Sequence, residues 1–323
     1  MLTCRVCEVR DEHARHAVLE MNFGTKEEFP YFECSNCGTL QIVDIPHDLA
    51  RHYPSNYLGE QSSIGETPAN SPAERLRIFL KKHRAADVLH ERNFVGWLIG
   101  KIRPNYSPDY FSWFRNARIS LHSRILDVGC GDGRLLKSLN EQGFANAAGQ
   151  DLFQKTFRPG VTVIRKPLDE LEGEYDLIML HHSFEHMPDP ARALEELKRL
   201  CAPKGTILLR IPVAGCRAWK EYGTNWYQID APRHLVIPTE KGLRLLTKRA
   251  QLTLARVDFD SNETQFGCSE QYKMGVPLKD PNSYFLRRNT ALFTEQQKRE
   301  FRDRAQVANE RGEGDQACFY LTR

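Results

Sequence analysis

Long apolar runs are missing from this 323-residue sequence. Its most apolar stretches, such as Phe94 to Ile99 and Ile207 to Leu209, fall far below the ~20 residues that a membrane-crossing helix needs. No transmembrane segment is therefore expected. The opening MLTCRVCEVRDEH lacks the apolar core of a secretory leader, so a cytoplasmic protein is expected. Excess charge is scarce as well. The 45 Lys/Arg against 42 Asp/Glu leave +3, too little by itself to point to nucleic acid. There is no internal repeat and no low-complexity tract. At 41% hydrophobic and 27% charged residues, the composition excludes bulk disorder and fibrous classes. The nine cysteines are an odd number, which argues against a disulfide framework. Five of them (Cys130, Cys201, Cys216, Cys268, Cys318) are scattered and are expected to pack as small apolar side chains.

The other four form two pairs, Cys4-x-x-Cys7 and Cys34-x-x-Cys37. Two thiolates spaced this way grip one metal from a tight turn, and two such turns complete a closed four-sulfur site. Gly38 follows at once, where the chain must bend beneath the metal. Ala17–Glu20 and Pro30–Glu33 read as short hairpin strands between the pairs. So small a segment has little core of its own, and zinc would supply the missing stability. Residues 1–50 are thus read as a small zinc ribbon with Cys4, Cys7, Cys34 and Cys37 as ligands. A disulfide pair or four unrelated thiols are the alternatives. A closed site of this kind is structural rather than catalytic.

Residues 51–120 read as a helical linker or cap. Pro54 to Pro72 is rich in loop-forming residues. Ser71 can cap a helix, Pro72 suits its first position, and Glu74 occupies the capping-box place. Leu76, Phe79, Leu80 and Leu89 continue an apolar stripe at helical spacing. A second helix is expected around Phe111 to Ile119. Between 75 and 118, ten Lys/Arg stand against three acids, Asp87, Glu91 and Asp109. A solvated helical face is the favoured reading, with an anionic substrate or peripheral membrane contact as the alternative.

From 121 the pattern becomes alternating strand and helix. Strands are expected at Arg124–Val128, Ala145–Asp151, Val161–Ile164, Tyr175–Leu180, Thr206–Ile211, Leu252–Phe259 and Ala317–Leu321. Helices are expected at Arg134–Gln142, from about Asp189 to Leu200, and from the Thr239 cap to Ala250. Such alternation implies an α/β fold, a doubly wound, Rossmann-like, mostly parallel sheet. The domain would span 121–323, with 263–314 inserted as a cap segment before the last strand.

The first of these strands ends in Asp127, and Gly129-Cys130-Gly131-Asp132-Gly133 follows before a helix. This order places backbone amides and a helix N-terminus at the carboxyl edge of the sheet, the usual ligand crevice. A dinucleotide fingerprint would need glycine at 134, which is Arg134. Asp127 suits an ammonium group, and Asp151, at the end of the second strand, suits ribose hydroxyls. An amino-acid end, a ribose and no bridging phosphates together describe S-adenosylmethionine.

ILDVGCGDG, GQDL, YDLIMLHHSFEHMPDP and LKRLCAPKGTILLRIP, in that order, resemble the class I S-adenosylmethionine-dependent methyltransferases. GDQACFYL is similar to that family's final antiparallel strand, which implies a seven-stranded sheet with its last strand antiparallel. The leading ribbon is similar to a bacterial subgroup that includes sugar C-methyltransferases and enzymes of polysaccharide or natural-product pathways. The resemblance implies that Asp127, Gly129 and Gly131 hold the methionine end of the cofactor and Asp151 its ribose. It further implies that Asp169 contacts adenine and that His181 lies by the sulfonium.

Methyl transfer needs alignment of the acceptor and removal of its proton. Base candidates cluster in two places, His182, Glu185 and His186 after the fourth strand, and the loop Trp219, Tyr222, Trp226, Tyr227, Asp230, Arg233 and His234. His234 is favoured, with Arg233 as a partner for an anionic group such as a phosphate. The alternative is that these side chains brace the loops. Phe266, Tyr272 and Met274 could complete a substrate wall, and Thr294 to Glu310 reads as a helix with Phe301, Ala305 and Val307 inward. HHSF stands where methylases of base amines carry Asn/Asp-Pro-Pro-aromatic, which counts against them. The expected activity is methyl transfer from S-adenosylmethionine to a small molecule, a nucleotide- or lipid-linked sugar or a related metabolite. Two other readings stay open. One is an RNA methyltransferase gripping its substrate through the ribbon, although residues 1–45 carry four Lys/Arg against eight acids. The other is a non-catalytic cofactor-binding scaffold.

Overall fold

The computed structural model describes residues 1–54, 71–91, 93–103, 108 and 110–323. Most of the expected loop between Pro54 and Pro72, and also Arg92 and Asp109, lie outside the described residues. The strands are β1 (Leu2–Thr3), β2 (Arg10–Asp11), β3 (Ala14–Leu19), β4 (Glu28–Glu33), β5 (Leu40–Ile42), β6 (Ile125–Val128), β7 (Ala147–Gln150), β8 (Val163–Ile164), β9 (Tyr175–His181), β10 (Cys201–Pro212), β11 (Val236–Ile237), β12 (Thr253–Phe259) and β13 (Gln316–Thr322). The helices are α1 (Pro72–Val88), α2 (Phe94–Ile102), α3 (Phe111–Asn116), α4 (Arg134–Glu141), α5 (Pro190–Leu200), α6 (Arg217–Tyr222), α7 (Glu240–Arg249), α8 (Thr264–Lys273) and α9 (Glu295–Glu310).

Seven strands form one sheet in the order β12-β13-β10-β9-β6-β7-β8, with the last strand of the chain antiparallel. The α/β, Rossmann-like class expected from the sequence is the observed one. β6 pairs in parallel with both β7 and β9, and β7 with β8. The apolar runs ILDV and LIML are buried on both faces, as central parallel strands must be.

The chain divides into two compact units. One comprises Pro54–His181, Glu196–Leu208 and Thr322–Arg323. Within it, Ser71 accepts from the Glu74 amide and Pro72 opens α1, as expected. The Glu74 carboxylate turns to Arg77 instead of closing a capping box. Arg77 and Lys81 reach Glu141 of α4 at 3.1 and 2.5 Å. The expected apolar stripe of α1 is corrected by the structure. Leu76 and Phe79 are 58% and 49% exposed, and Ala85 and Ala86 are the buried side chains of α1. Small residues fill that place because α2 packs closely there, a Cβ on Gly96 falling 2.0 Å from the His83 carbonyl oxygen. Helix α2 itself was not among the expected elements, although Asn93 caps it through the Gly96 amide.

The other unit comprises Met1–Tyr53, His182–Glu195 and Leu209–Leu321. The ribbon strands β3, β4 and β5 form an antiparallel sheet, and β11 adds to β5 with Val236 opposite Gln41. The ribbon therefore shares its sheet with a segment nearly two hundred residues away. The units consequently do not follow the expected divisions at 50 and 120. Helix α9 buries Phe301, Ala305 and Ala308, with Ala308 in the inward place expected for Val307. Phe266 and Tyr272 are core residues and Met274 is half exposed, so these three do not line one wall.

Candidate functional site

The parallel register sets Val128 beside Gln150, so the turn after β6 and the residue after β7 meet at one sheet edge. Gly129 and Cys130 both donate their amides to the Gln150 carbonyl, at 2.8 and 3.1 Å. Gly129, Gly131 and Gly133 adopt φ of 75°, 55° and 80°, which glycine tolerates without strain. Gly149 is required for closeness, since a Cβ there would lie 2.5 Å from the Cys130 sulfur. Helix α4 starts after Gly133, which offers no side-chain cap; Asp132 Oδ1 takes the Arg134 amide at 3.0 Å and leaves the later first-turn amides available to an anionic group.

Asp127 is 4% exposed, and no donor among the described residues reaches its carboxylate. Burial, with the nearby Asp151 charge adding to it, pushes its pKa up to about 7. An ammonium group is the partner such a carboxylate lacks. Asp151 Oδ2 accepts from the Gly131 amide at 3.0 Å, and Oδ1 accepts from the Phe153 and Gln154 amides at 2.9 and 2.8 Å. Three of its roughly four acceptor positions are thus used, which leaves capacity for one ribose hydroxyl rather than both. The residues present fit S-adenosylmethionine at its amino-acid end and, through one bond, at its ribose. Asp169 lies exposed in a short 3₁₀ turn, where its carbonyl accepts from Arg199. His181 ends β9 with its ring 4.6 Å from that of Trp113, a neighbour the sequence did not single out.

The structure brings the expected base candidates together in the second unit. His182 has φ of 52° and a half-exposed side chain. Arg210 lies within 2.6 Å of Asp260 and donates to His182 Nε2 at 3.2 Å. Nε2 is therefore the unprotonated nitrogen, and Nδ1–H donates to Glu185 Oε1 at 3.3 Å. Glu185 is fully buried, and its Oε2 has no hydrogen-bond partner among the described residues. Burial opposes its ionisation, but the His182 bond and the surrounding imidazoles hold its pKa down to about 2. His234 is 5% exposed, and its Nδ1 lies 2.7 Å from the Gln228 carbonyl. Burial and the neighbouring His186 push its pKa down to about 4. His186 Nδ1 lies 2.8 Å from the Arg233 carbonyl, with the Tyr53 hydroxyl at 3.0 Å. Arg210 and Asp260 were missed in the sequence, where the only signal was a lone charge in the apolar strand ILLRIP.

The role expected for Arg233 is corrected. Its guanidinium is buried and saturated by Asp230 and Glu20, each at 2.7 Å, and by the His52 carbonyl at 3.0 Å. So buried and so engaged, it is out of reach of a phosphate. Although burial opposes it, Arg233 holds the Asp230 carboxyl far below the usual range. Trp219, Tyr222 and Trp226 are likewise core residues rather than an open aromatic wall, with the Trp226 indole donating to Asp315 at 3.1 Å.

The four ribbon cysteines converge. Cys4 and Cys37 sulfurs lie 3.7 Å apart, and those of Cys7 and Cys34 3.5 Å apart, with no disulfide formed. A tetrahedral zinc with bonds of about 2.3 Å sets its sulfurs about 3.8 Å apart, so the donor set fits that ion. The Gln41 amide and the Val6 backbone N–H point at Cys4 Sγ, at 3.0 and 3.4 Å. The Cys37 contact, with these N–H groups, holds the Cys4 thiol down to about 4. The other five cysteines are buried or half-buried, as expected. No helix among the described residues is long and apolar enough to cross a membrane.

The family described as "Methyltransferase domain" matches residues 79–257, more than half of the chain. The ubiquinone biosynthesis O-methyltransferase of Bordetella bronchiseptica is 33% identical over 116 residues, 31% of this chain and 48% of that protein. Its counterpart in Methylococcus capsulatus is 34% identical over 109 residues, 29% of this chain and 46% of that protein. The chain thus spans about half the length of the curated relatives it matches. Among solved structures, the S-adenosylmethionine-dependent methyltransferase of Mesorhizobium loti is 17% identical with a TM-score of 0.39, covering 67% of this chain and 99% of that one. The chain belongs to the methyltransferase-domain family.

Proposed function

We propose that this protein transfers a methyl group from S-adenosylmethionine to a small-molecule acceptor, a nucleotide- or lipid-linked sugar or a related metabolite. The observation that carries this reading is Asp127, a buried carboxylate that no donor among the described residues reaches, beside a glycine turn that leads into a helix N-terminus. Family membership supports it. The relatives' O-methyltransferase names support oxygen as the accepting atom. The exposed Phe94, Trp97 and Ile102 of α2, with Lys101 over the Trp97 ring, support a lipid-linked acceptor over a nucleotide-linked one.

Bound S-adenosylmethionine would supply a methyl group already activated on its sulfonium. Asp127 would take the ammonium, the first-turn amides of α4 the carboxylate, and Asp151 Oδ2 a ribose hydroxyl. Asp169 and His181 keep the adenine and sulfonium roles that the resemblance implies. Among the four base candidates, His182 has the exposure to meet an acceptor. Glu185 orients it through Nδ1, which makes Nε2 the basic nitrogen. Arg210 now donates to that nitrogen and would yield it to the acceptor hydroxyl. Zinc in the four-cysteine site would serve the fold, not the transfer.

Equilibrium binding of S-adenosylmethionine tests the reading. Asp151→Ala is expected to weaken it at least ~10-fold, through the lost ribose bond and the loosened turn. Unchanged affinity would remove the ribose assignment. Failure of the wild-type protein to release methyl from labelled cofactor across a broad acceptor panel would favour the scaffold reading instead.

A further inference from the structure

We propose that Glu185, His186 and His234 form a second metal centre, a two-histidine, one-carboxylate site for a divalent first-row transition ion. The inference does not rest on methyl transfer. Ligand atoms of these three residues lie within 4.8 Å of one another. The two imidazole rings stand 4.8 Å apart and nearly perpendicular.

Protonation follows from the hydrogen bonds. A backbone carbonyl only accepts, so His186 donates Nδ1–H to Arg233 and His234 donates Nδ1–H to Gln228. Each ring is left with its lone pair on Nε2. His234 Nε2 lies 3.8 Å from Glu185 Oε1, too far for a hydrogen bond. Glu185 Oε1 is engaged by His182, whereas Oε2 is buried with no partner. Both rings thus offer a lone pair, and Glu185 holds a carboxylate oxygen without a hydrogen-bond partner among the described residues, within one cluster of ligand atoms. A buried carboxylate left so costs free energy that a cation would return.

The surroundings are those of ligands. Metal-bound histidines nearly always donate their other nitrogen to a carbonyl or carboxylate, and ligating carboxylates accept a further bond. All three residues meet that rule. An ion with bonds of about 2.1 Å sets neighbouring ligands about 3 Å apart, so its entry draws the side chains inward by modest rotations. Two imidazoles with one carboxylate favour ions such as Fe2+, Co2+ or Zn2+ over Mg2+. Three protein ligands also leave coordination positions open, unlike the closed sulfur site.

The test adds Co2+ to the full-length protein with zinc already in the cysteine site. We expect one further equivalent bound, without a thiolate-to-cobalt charge-transfer band. His186 is half-buried, so His186→Ala should fold, and it is expected to weaken Co2+ binding at least ~10-fold. His122→Ala, at an exposed position, should leave binding unchanged. X-ray absorption at the cobalt edge of the wild-type protein gives a readout that needs no variant. A nitrogen and oxygen shell with imidazole scattering supports the site. Absence of the further equivalent, equal affinity in folded His186→Ala, or sulfur in the cobalt shell would overturn it.

Discussion

Replacing Asp127 by Asn should make the ligand-free protein more stable while impairing cofactor binding. The folded-state pKa is about 7 against an ordinary 3.8, and the cause is burial. The sign follows from proton binding. Below the ordinary pKa both states hold the proton and no cost arises. As pH rises the unfolded state ionises first, so folding loses stability until the buried carboxyl ionises too. The cost is then about 2 kcal/mol near about pH 5 and about 4 kcal/mol near about pH 8. Asn has the same shape and never ionises, so its advantage should grow by roughly 2–3 kcal/mol across that interval. Urea unfolding of both proteins at the two pH values measures this difference, and effects of the amide that do not depend on pH cancel. S-adenosylmethionine should bind the variant at least ~10-fold more weakly, through loss of a charge-assisted bond. An advantage that fails to grow with pH would refute the claim that burial raises the Asp127 pKa.

Three other outcomes are expected. His182→Ala should lower turnover by ~10²–10⁴-fold with cofactor affinity intact, measured by single-turnover transfer from labelled cofactor. Arg233→Ala should destabilise the fold by about 3–5 kcal/mol in urea unfolding, because Asp230 and Glu20 lose their buried partner. Zinc should shield Cys4, Cys7, Cys34 and Cys37 from alkylation, and chelation should expose them, as counted by mass spectrometry.

What could be read from the sequence was local. The Asp127 turn, the cysteine pairs and most strands depend on residues a few positions apart, and each has a backbone or ligand reason visible in the string. Arg233 was misread because its partner Glu20 lies 213 residues away. Beside Pro232 in a polar loop, nothing distinguished a saturated core arginine from a phosphate binder. The burial of His234 is equally invisible in the sequence, since Tyr31, which bonds its carbonyl at 2.8 Å, lies 203 residues away. The stripe Leu76, Phe79 had correct helical spacing, but periodicity gives the face and not what covers it. Helix α2 escaped notice because FVGWLIGKI is apolar all round and carries two glycines.

The ribbon's reliance on β11 bears on how the chain is made. Residues 1–50 leave the ribosome long before Val236 and Ile237, so the β5 edge has no hydrogen-bonding neighbour for most of synthesis. Early capture of zinc by the first four cysteines would hold that nascent hairpin in shape until its late strand arrives. Removing the ribbon to obtain a minimal catalytic fragment would expose the flank of β11 and strip Arg233 of one of its two acids. The apparent N-terminal accessory is in that sense a piece of the later fold, delivered early.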